Sequence, residues 1–345
     1  MTTKSQYLQK SHGFKWWLIR VLISVFVIML VAFSYLLFVG SSAKSKLIEG
    51  NPAPGRLVDV GGYKMHINCM GEGSPTVIME AGAGDFSVSW AAVQPTLSQT
   101  TRVCSYDRAG FGWSEPNAEQ VRTSQTMVQE LETLLANANI DDRLVLVGHS
   151  FGGLNVRLFA DRHLDRVAGV VLVDALHEDV SPEMQRINSE AQVTLVEELR
   201  VVSILQSIGL LALSPEEIPE QGLPPEAMAQ YRAILATGSQ LDTMIAELSA
   251  IENSLTYARS LDLKHLDNIP VAVLTTTHRN QPSLSEEQNK QMAKDWNKMQ
   301  IAQSKLSSES YFVSTSKSGH YIQLEQPELV IRTINKLVTR ARYKG

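Results

Sequence analysis

The chain has 345 residues, of which 44% are hydrophobic and 19% charged, enough apolar material for one large α/β domain or two smaller ones and too much for a disordered chain. The formal net charge is −5, unevenly spread: the first 48 residues carry six Lys or Arg and no Asp or Glu, and the remainder carries 25 basic and 36 acidic residues. An acidic body of net −11 lacks the basic footprint that nucleic acid requires, which argues against that class of partner.

Residues 1–15 read as a basic leader. From Val21 to Val39 no charge occurs, and nineteen apolar residues match the roughly 20 needed to cross a hydrocarbon core. Trp16 and Trp17 stand where an interfacial aromatic anchor belongs, so 16–40 is predicted to be a transmembrane signal anchor. Four basic residues precede the span and two follow, which places the amino end in the cytoplasm and the body outside it. The alternatives are a secretory signal cleaved near Ser41-Ser-Ala43 and a buried core helix. Residues 41–55, polar and bearing Gly and Pro, read as a linker.

Arg56 to Val60 and Tyr63 to Cys69 form a predicted hairpin around Gly61-Gly62. Thr76 to Glu80 is a buried strand followed by Ala81-Gly-Ala-Gly84, Trp90 to Leu97 a helix, and Thr101 to Tyr106 another strand. Cys69 and Cys104 are the two cysteines, both in apparent strands; an extracytoplasmic body permits a disulfide, and two buried thiols are the alternative. Met127, Leu131, Leu134 and Leu135 give Thr123 to Asn137 one apolar face. Val167 to Val173 is too apolar to be half-exposed and belongs inside a parallel sheet. Ile269 to Leu274 and Ser310 to Ser314 are two more strands, and Pro327 to Ala341 closes the chain as a helix. Strands alternating with helices imply an α/β fold, a doubly wound, mostly parallel sheet formed by residues 56–176 and 263–345. Residues 177–262 break the alternation: they are helical and acidic, with fourteen Asp or Glu against four Arg, and are predicted to be a lid over the strand ends. Within them, apolar Val201 to Leu213 is expected on the lid's underside, with an acyl-binding wall or a membrane-dipping surface as the other reading.

The chemistry concentrates in Leu144-Val-Leu-Val-Gly-His-Ser-Phe-Gly-Gly153, which reads strand, tight turn, helix with Gly-x-Ser-x-Gly at the turn. That pattern exposes a serine at the carboxyl end of a strand beside a helix N-terminus, a position suited to a nucleophile and its oxyanion. A serine hydroxyl needs a base within reach, and the base needs an orienting acid. Of eight histidines, His320 lies in the loop between the last strand and last helix, where such sheets place their sites, and is the expected base; His278 is the alternative. The loop Thr275-Thr-Thr-His-Arg-Asn-Gln-Pro282 holds no carboxylate, whereas Asp174 ends the strand that follows the elbow's helix. Asp174 is therefore the expected acid, with Asp179 and Glu178 as alternatives. Phe151 N–H is one expected oxyanion donor and Ala83 N–H the second. No zinc spacing, Walker loop or dinucleotide fingerprint occurs, so no cofactor or metal is expected.

Gly148-His-Ser-Phe-Gly-Gly153, Asp107-Arg-Ala-Gly-Phe-Gly-Trp-Ser-Glu-Pro116 and Ser318-Gly-His320 resemble the α/β-hydrolase superfamily, in particular its esterase, haloalkane dehalogenase and haloperoxidase group. The resemblance spans about residues 56 to 341 and implies Ser150 as nucleophile and His320 as base. The group usually has His-Gly after its third strand, where this chain has Ala81-Gly82. Its usual acid position is empty here, but some dehalogenases carry the acid one strand earlier, about 24 residues beyond the nucleophile, which is the spacing of Asp174 from Ser150. A serine nucleophile argues against dehalogenation. The family's strand order makes the second and fourth strands neighbours, which implies a Cys69–Cys104 disulfide. The expected function is a membrane-anchored serine hydrolase acting on a small ester or acyl substrate. A lipase, peptidase or amidase on the same residues, a haloperoxidase-like activity, and a catalytically silent binding protein are the alternatives.

Overall fold

The computed structural model describes residues 3–117, 121–238, 240–261, 263, 265–279 and 284–344, with side chains from Phe14 to Tyr343. The side chains of the leader, including Lys4, Lys10 and His12, and residues 280–283 at the end of the carboxylate-free loop lie outside the described residues.

In chain order the elements are α1 (Thr3–Gly50), β1 (Arg56–Asp59), β2 (Lys64–Met70), β3 (Thr76–Glu80), a 3₁₀ turn at Ser87–Trp90, α2 (Gln94–Leu97), β4 (Val103–Tyr106), α3 (Ser124–Asn137), β5 (Leu144–His149), α4 (Phe151–Arg162) and β6 (Val167–Val173). Then follow α5 (Pro182–Ser207), α6 (Leu210–Leu213), α7 (Pro225–Thr237) and α8 (Gln240–Leu261) without a strand, and β7 (Val271–Thr276), α9 (Glu286–Gln303), β8 (Ser310–Thr315), α10 (Ile322–Glu325) and α11 (Pro327–Lys344). The strands form one sheet in the order β1-β2-β4-β3-β5-β6-β7-β8. β2 pairs antiparallel with β1 and β4, and the other neighbours are parallel. This is the doubly wound sheet with an antiparallel start that the alternation predicts.

The period-2 pleat sorts the central strands to two faces. Leu144 and Leu146 of β5 pack with Met127, Leu131 and Leu154 of α3 and α4, while Val145 and Val147 pack with Trp90, Leu97 and Ile334 on the opposite side. Every residue of β5, β6 and β7 is buried, as parallel strands covered on both faces require. Thr123 starts α3 by accepting Thr126 N–H, and Ser285 and Gln288 close a reciprocal capping box on α9. Cys69 and Cys104 face each other in the β2–β4 register and form a disulfide.

Three local expectations are corrected. Trp90 to Leu97 is not one helix, because Pro95 supplies no N–H and its ring would meet the carbonyl four residues back; the chain turns and restarts as α2 with Pro95 in its first turn. Residues 41–50 of the expected linker are helical. They extend α1 because Gly40 seats against Gly209, Ala43 and Leu47 pack beside Ala212 and Ala236, and Lys44 Nζ donates to Ser207 O. The stretch Val201 to Leu213 is an underside only in part: Val201 is 59% exposed and Ile204 64%, whereas Gln206 and Ala212 are buried and Ala212 packs with Ile218 and Ala236 of the insertion itself.

α1 contains an 18-residue window of mean hydropathy 2.8, none of it buried. It is long and apolar enough to cross a membrane.

Candidate active site

β5 runs buried to His149, and the chain then reverses into α4 through Ser150, whose φ of 50° and ψ of −120° lie outside the ordinary regions for an L-residue. Close packing forces this turn. A Cβ on Gly148 would lie 2.5 Å from Gly152 O, and one on Gly152 would lie 2.5 Å from Ala81 O. The elbow can therefore nest against the loop after β3 only with glycine at both flanks. Asp174 leaves β6 with φ of 43°, a second non-glycine residue in the left-handed region.

The structure brings Asp174 and His320 together: Nδ1 of His320 stands 2.6 Å from Asp174 Oδ2. Asp174 is fully buried, and its carboxylate is saturated with donors. Oδ1 accepts from Thr275 Oγ1 at 2.9 Å, Thr276 N–H at 3.3 Å and Trp296 Nε1 at 2.9 Å, and Oδ2 accepts from Arg279 Nη2 at 2.6 Å as well as from His320. Burial opposes its ionisation, but the His320 hydrogen bond and the Arg279 charge outweigh burial and hold the acid well below the usual carboxylate range. Arg279 Nη2 also lies 3.0 Å from His320 Nδ1, and its guanidinium stacks over the Trp296 ring at 3.4 Å. With Nδ1–H directed at Asp174, both groups donate to the one carboxylate oxygen, and Nε2 of His320 is left as the acceptor.

Ser150 is linked to the Asp174 segment through the backbone, its N–H donating to Val173 O at 3.1 Å and its carbonyl accepting Leu176 N–H at 2.9 Å, and it packs against the loop after β3. A Cβ on Gly82 would lie 3.2 Å from Ser150 Cβ and 2.9 Å from His149 Nδ1. No hydrogen bond between Ser150 Oγ and His320 closes among the described residues. His149 has its own task. Its Nε2 donates to the His320 carbonyl at 3.1 Å and its ring sits 4.7 Å from that of His320, so it supports the loop carrying the expected base. Burial lowers its pKa to about 3, which keeps the imidazole neutral.

Ala83 lies in the β3 loop beside the elbow. Its neighbours are committed elsewhere: Gly84 N–H donates to Glu247 Oε1 at 2.8 Å and Asp85 N–H to Gly82 O. Arg108 clamps this loop by donating to the carbonyls of Ala81 (2.8 Å) and Gly82 (2.7 Å), and pairs with Glu247 of α8 at 2.9 Å, both side chains being buried. Phe151 is the first residue of α4, so its N–H is among those a helix leaves without an intrahelical partner.

The alternative residues stand elsewhere. Glu178 is held by Arg157 at 2.7 Å, Asp179 is exposed, and His278 lies exposed at the rim. Sequence reasoning missed Arg279, Trp296 and Thr275 as partners of Asp174. A signal existed: the loop that lacks the customary acid begins within β7 and runs to Arg279, so the residues at the vacated position now hold the relocated one. No group of three or more metal-ligating side chains occurs among the described residues.

Residues 75–195 match the family model described as alpha/beta hydrolase fold. An "AB hydrolase superfamily protein" of Gibberella zeae is 27% identical over 292 residues, covering 78% of this chain and 87% of that one. The "Probable transporter efuK" of Hormonema carpetanum is 33% identical over 135 residues, 37% of this chain but 19% of that protein, so the chain spans about a fifth of that relative's length. Among solved structures, a thermophilic esterase from Thermogutta terrifontis superposes with a TM-score of 0.58 at 23% identity, covering 83% of this chain and 98% of the esterase. The chain has the α/β-hydrolase fold, with the family match carried by residues 75–195.

Proposed function

We propose that the protein is a serine hydrolase that cleaves a carboxylic ester through an acyl-enzyme. The observation that carries this reading is the 2.6 Å Asp174–His320 pair beside a serine held at positive φ on a strand-to-helix elbow. Ser150 Oγ attacks the carbonyl carbon while its proton passes to His320 Nε2, and Asp174 stabilises the resulting imidazolium. Phe151 and Ala83 N–H groups donate to the oxyanion. Collapse breaks the carbon–oxygen bond, and the alcohol leaves with the proton from His320. Water, deprotonated by the same imidazole, then attacks the acyl carbon, releases the carboxylic acid and restores Ser150.

α1 fits this scheme as a membrane anchor with the hydrolase body on the extracytoplasmic side, in keeping with the basic residues ahead of its apolar span. The helical insertion acts as a lid. Its exposed Val201, Ile204 and Leu205 stand next to the point where α1 docks on α6, which favours the membrane-dipping reading of this stretch over an internal one.

A fluorophosphonate probe tests the core of this reading. It is expected to label the wild type and not Ser150→Ala, with hydrolysis of p-nitrophenyl esters lost in parallel. Equal labelling of the two proteins removes Ser150 as nucleophile.

A further inference from the structure

Beside the candidate oxyanion loop lies a cavity of about 100 Å³ whose walls include Ala83, Asp85, Ser89, Tyr231, Met244 and Tyr321. It adjoins the reacting centre from two directions: Ala83 is the expected oxyanion donor, and Tyr321 follows His320, its ring 5.5 Å from the imidazole. Asp85 is the one carboxylate in this lining. Its Oδ1 accepts the Phe86 N–H at 2.8 Å, and among the described residues no Lys, Arg or His nitrogen comes within 4.0 Å of it. The nearby guanidinium of Arg108 lowers the Asp85 acid through space and reaches the Asp85 carbonyl at 3.4 Å, but it makes no ion pair with the carboxylate, being bound to Glu247 and to the carbonyls of Ala81 and Gly82.

A half-buried carboxylate without an ion-pair partner is costly, and the cost appears here as an acid pushed up to about 6, chiefly by burial and against the opposing Arg108 charge. The tyrosines feel the same charge. Tyr231 and Tyr321 are both raised to about 12, by burial first and by Asp85 next. Tyr231 is fixed by stacking on Phe86, with ring centroids 5.7 Å apart and planes 5° from parallel. The enclosed Ser89 hydroxyl stands on the Asp85 carboxylate and lowers its acid in part, against the larger effect of burial. A carboxylate without a counter-ion, two aromatic rings and the flexible thioether of Met244 together form a receptor for an alkylammonium group: the acid supplies charge, the ring faces attract the cation, and the sulfur and Cβ surfaces receive its methyl or methylene groups.

We propose that this cavity recognises a cationic group on the substrate, so that the favoured esters carry an ammonium in the part of the molecule lying against Asp85, Tyr231 and Tyr321. The proposal rests on the hydrolase reading, because it names the substrate class of that same site. The acidic composition of the insertion is consistent with it, since excess negative charge attracts cations and repels anionic esters.

The test compares butyrylcholine with 3,3-dimethylbutyl butyrate, its neutral carbon isostere, on the full chain in detergent. Wild type is expected to favour the cation by roughly tenfold or more in kcat/KM, the scale of a desolvated cation–aromatic contact. Asp85→Asn is expected to bring that ratio towards one. A second measurement needs no turnover: calorimetric binding of butyltrimethylammonium to Ser150→Ala, expected to weaken about tenfold in the Ser150→Ala/Asp85→Asn double variant. If Asp85→Asn does not fold, the wild-type ratio decides. A ratio of one or below, with both esters turned over, overturns the cation site and leaves the hydrolase reading standing. Asp85-dependent ammonium binding without turnover of either ester does the reverse.

Discussion

Ser150 and Asp174 share an uncommon backbone state, positive φ without glycine, and each is the first residue after a fully buried strand of the central sheet. Strain of this kind persists only where surrounding packing over-determines it. Here β5 and β6 are paired neighbours, with His149 opposite Val173 and Ser150 N–H donating to Val173 O, so the two residues leave the sheet side by side. His149 adds a titration of its own. Its folded pKa of about 3 lies below the ordinary histidine value, so the unfolded chain binds a proton that the folded chain refuses between about pH 6.5 and 3. Stability from this residue is therefore intact above pH 6.5 and falls as the pH drops through that window. Glu80, raised to about 7 by burial, works in the opposite sense, gaining stability as it protonates below that value. A comparison with His149→Gln isolates the histidine: on going from pH 7.5 to 5, the wild type should lose on the order of 2 kcal/mol more than the variant in denaturant unfolding. Parallel pH profiles would refute a neutral buried His149.

At the scale of elements, the insertion is joined to the sheet through an ion pair. α8 delivers Glu247 to Arg108, and Arg108 holds the carbonyls of the β3 loop that packs against the elbow. Glu247 also fixes Gly84 directly. Breaking a buried pair from one side leaves an uncompensated charge, at a cost of about 3–5 kcal/mol. Glu247→Ala should therefore lower the unfolding free energy by about that amount and, if the proposed ester hydrolysis holds, reduce kcat along with it, since the β3 loop loses two anchors. Unchanged thermal unfolding would show that Glu80, 3.8 Å from Arg108, compensates alone. This tie was invisible in the chain's order. Arg108 and Glu247 are 139 residues apart, on a motif and a helix that sequence patterning read separately. Element types, in contrast, were legible. Buried parallel strands are apolar throughout, and capped amphipathic helices announce their ends, so β5, β6, α3 and α11 fell where predicted. The misjudged elements, residues 41–50 and Trp90 to Leu97, are those whose state was set by docking against distant partners or by a proline within a helical pattern.

For the whole molecule, α1 and the exposed apolar end of α5 define one side. Val193, Val201 and Ile204 are each more than half exposed, and α1 docks on the insertion through Gly40 and Gly209. A spanning helix gives attachment that salt and alkali do not reverse, whereas an apolar rim alone gives reversible binding. The full chain should therefore remain with membranes after carbonate extraction. A variant lacking residues 1–40 should be released by that wash yet retain weak binding to vesicles, reduced further by Val201→Glu with Ile204→Glu. Release of the full chain by carbonate would remove the anchor assignment.

The sequence by itself determined the alternation that makes a doubly wound sheet, the elbow with Ser150, the place of His320 between the last strand and helix, and a leader helix apolar enough to span a bilayer. These are local properties, written in periodicity, glycine spacing and hydropathy. Only the tertiary structure decided that Asp174 meets His320, that Arg279, Trp296 and Thr275 surround that acid, that Arg108 and Glu247 lock the β3 loop, and that Asp85 faces a cavity without a counter-ion. Those depend on which strand ends and which turns of the insertion converge, and convergence between residues a hundred or more positions apart is set by sheet order and helix packing, which no short stretch of chain encodes.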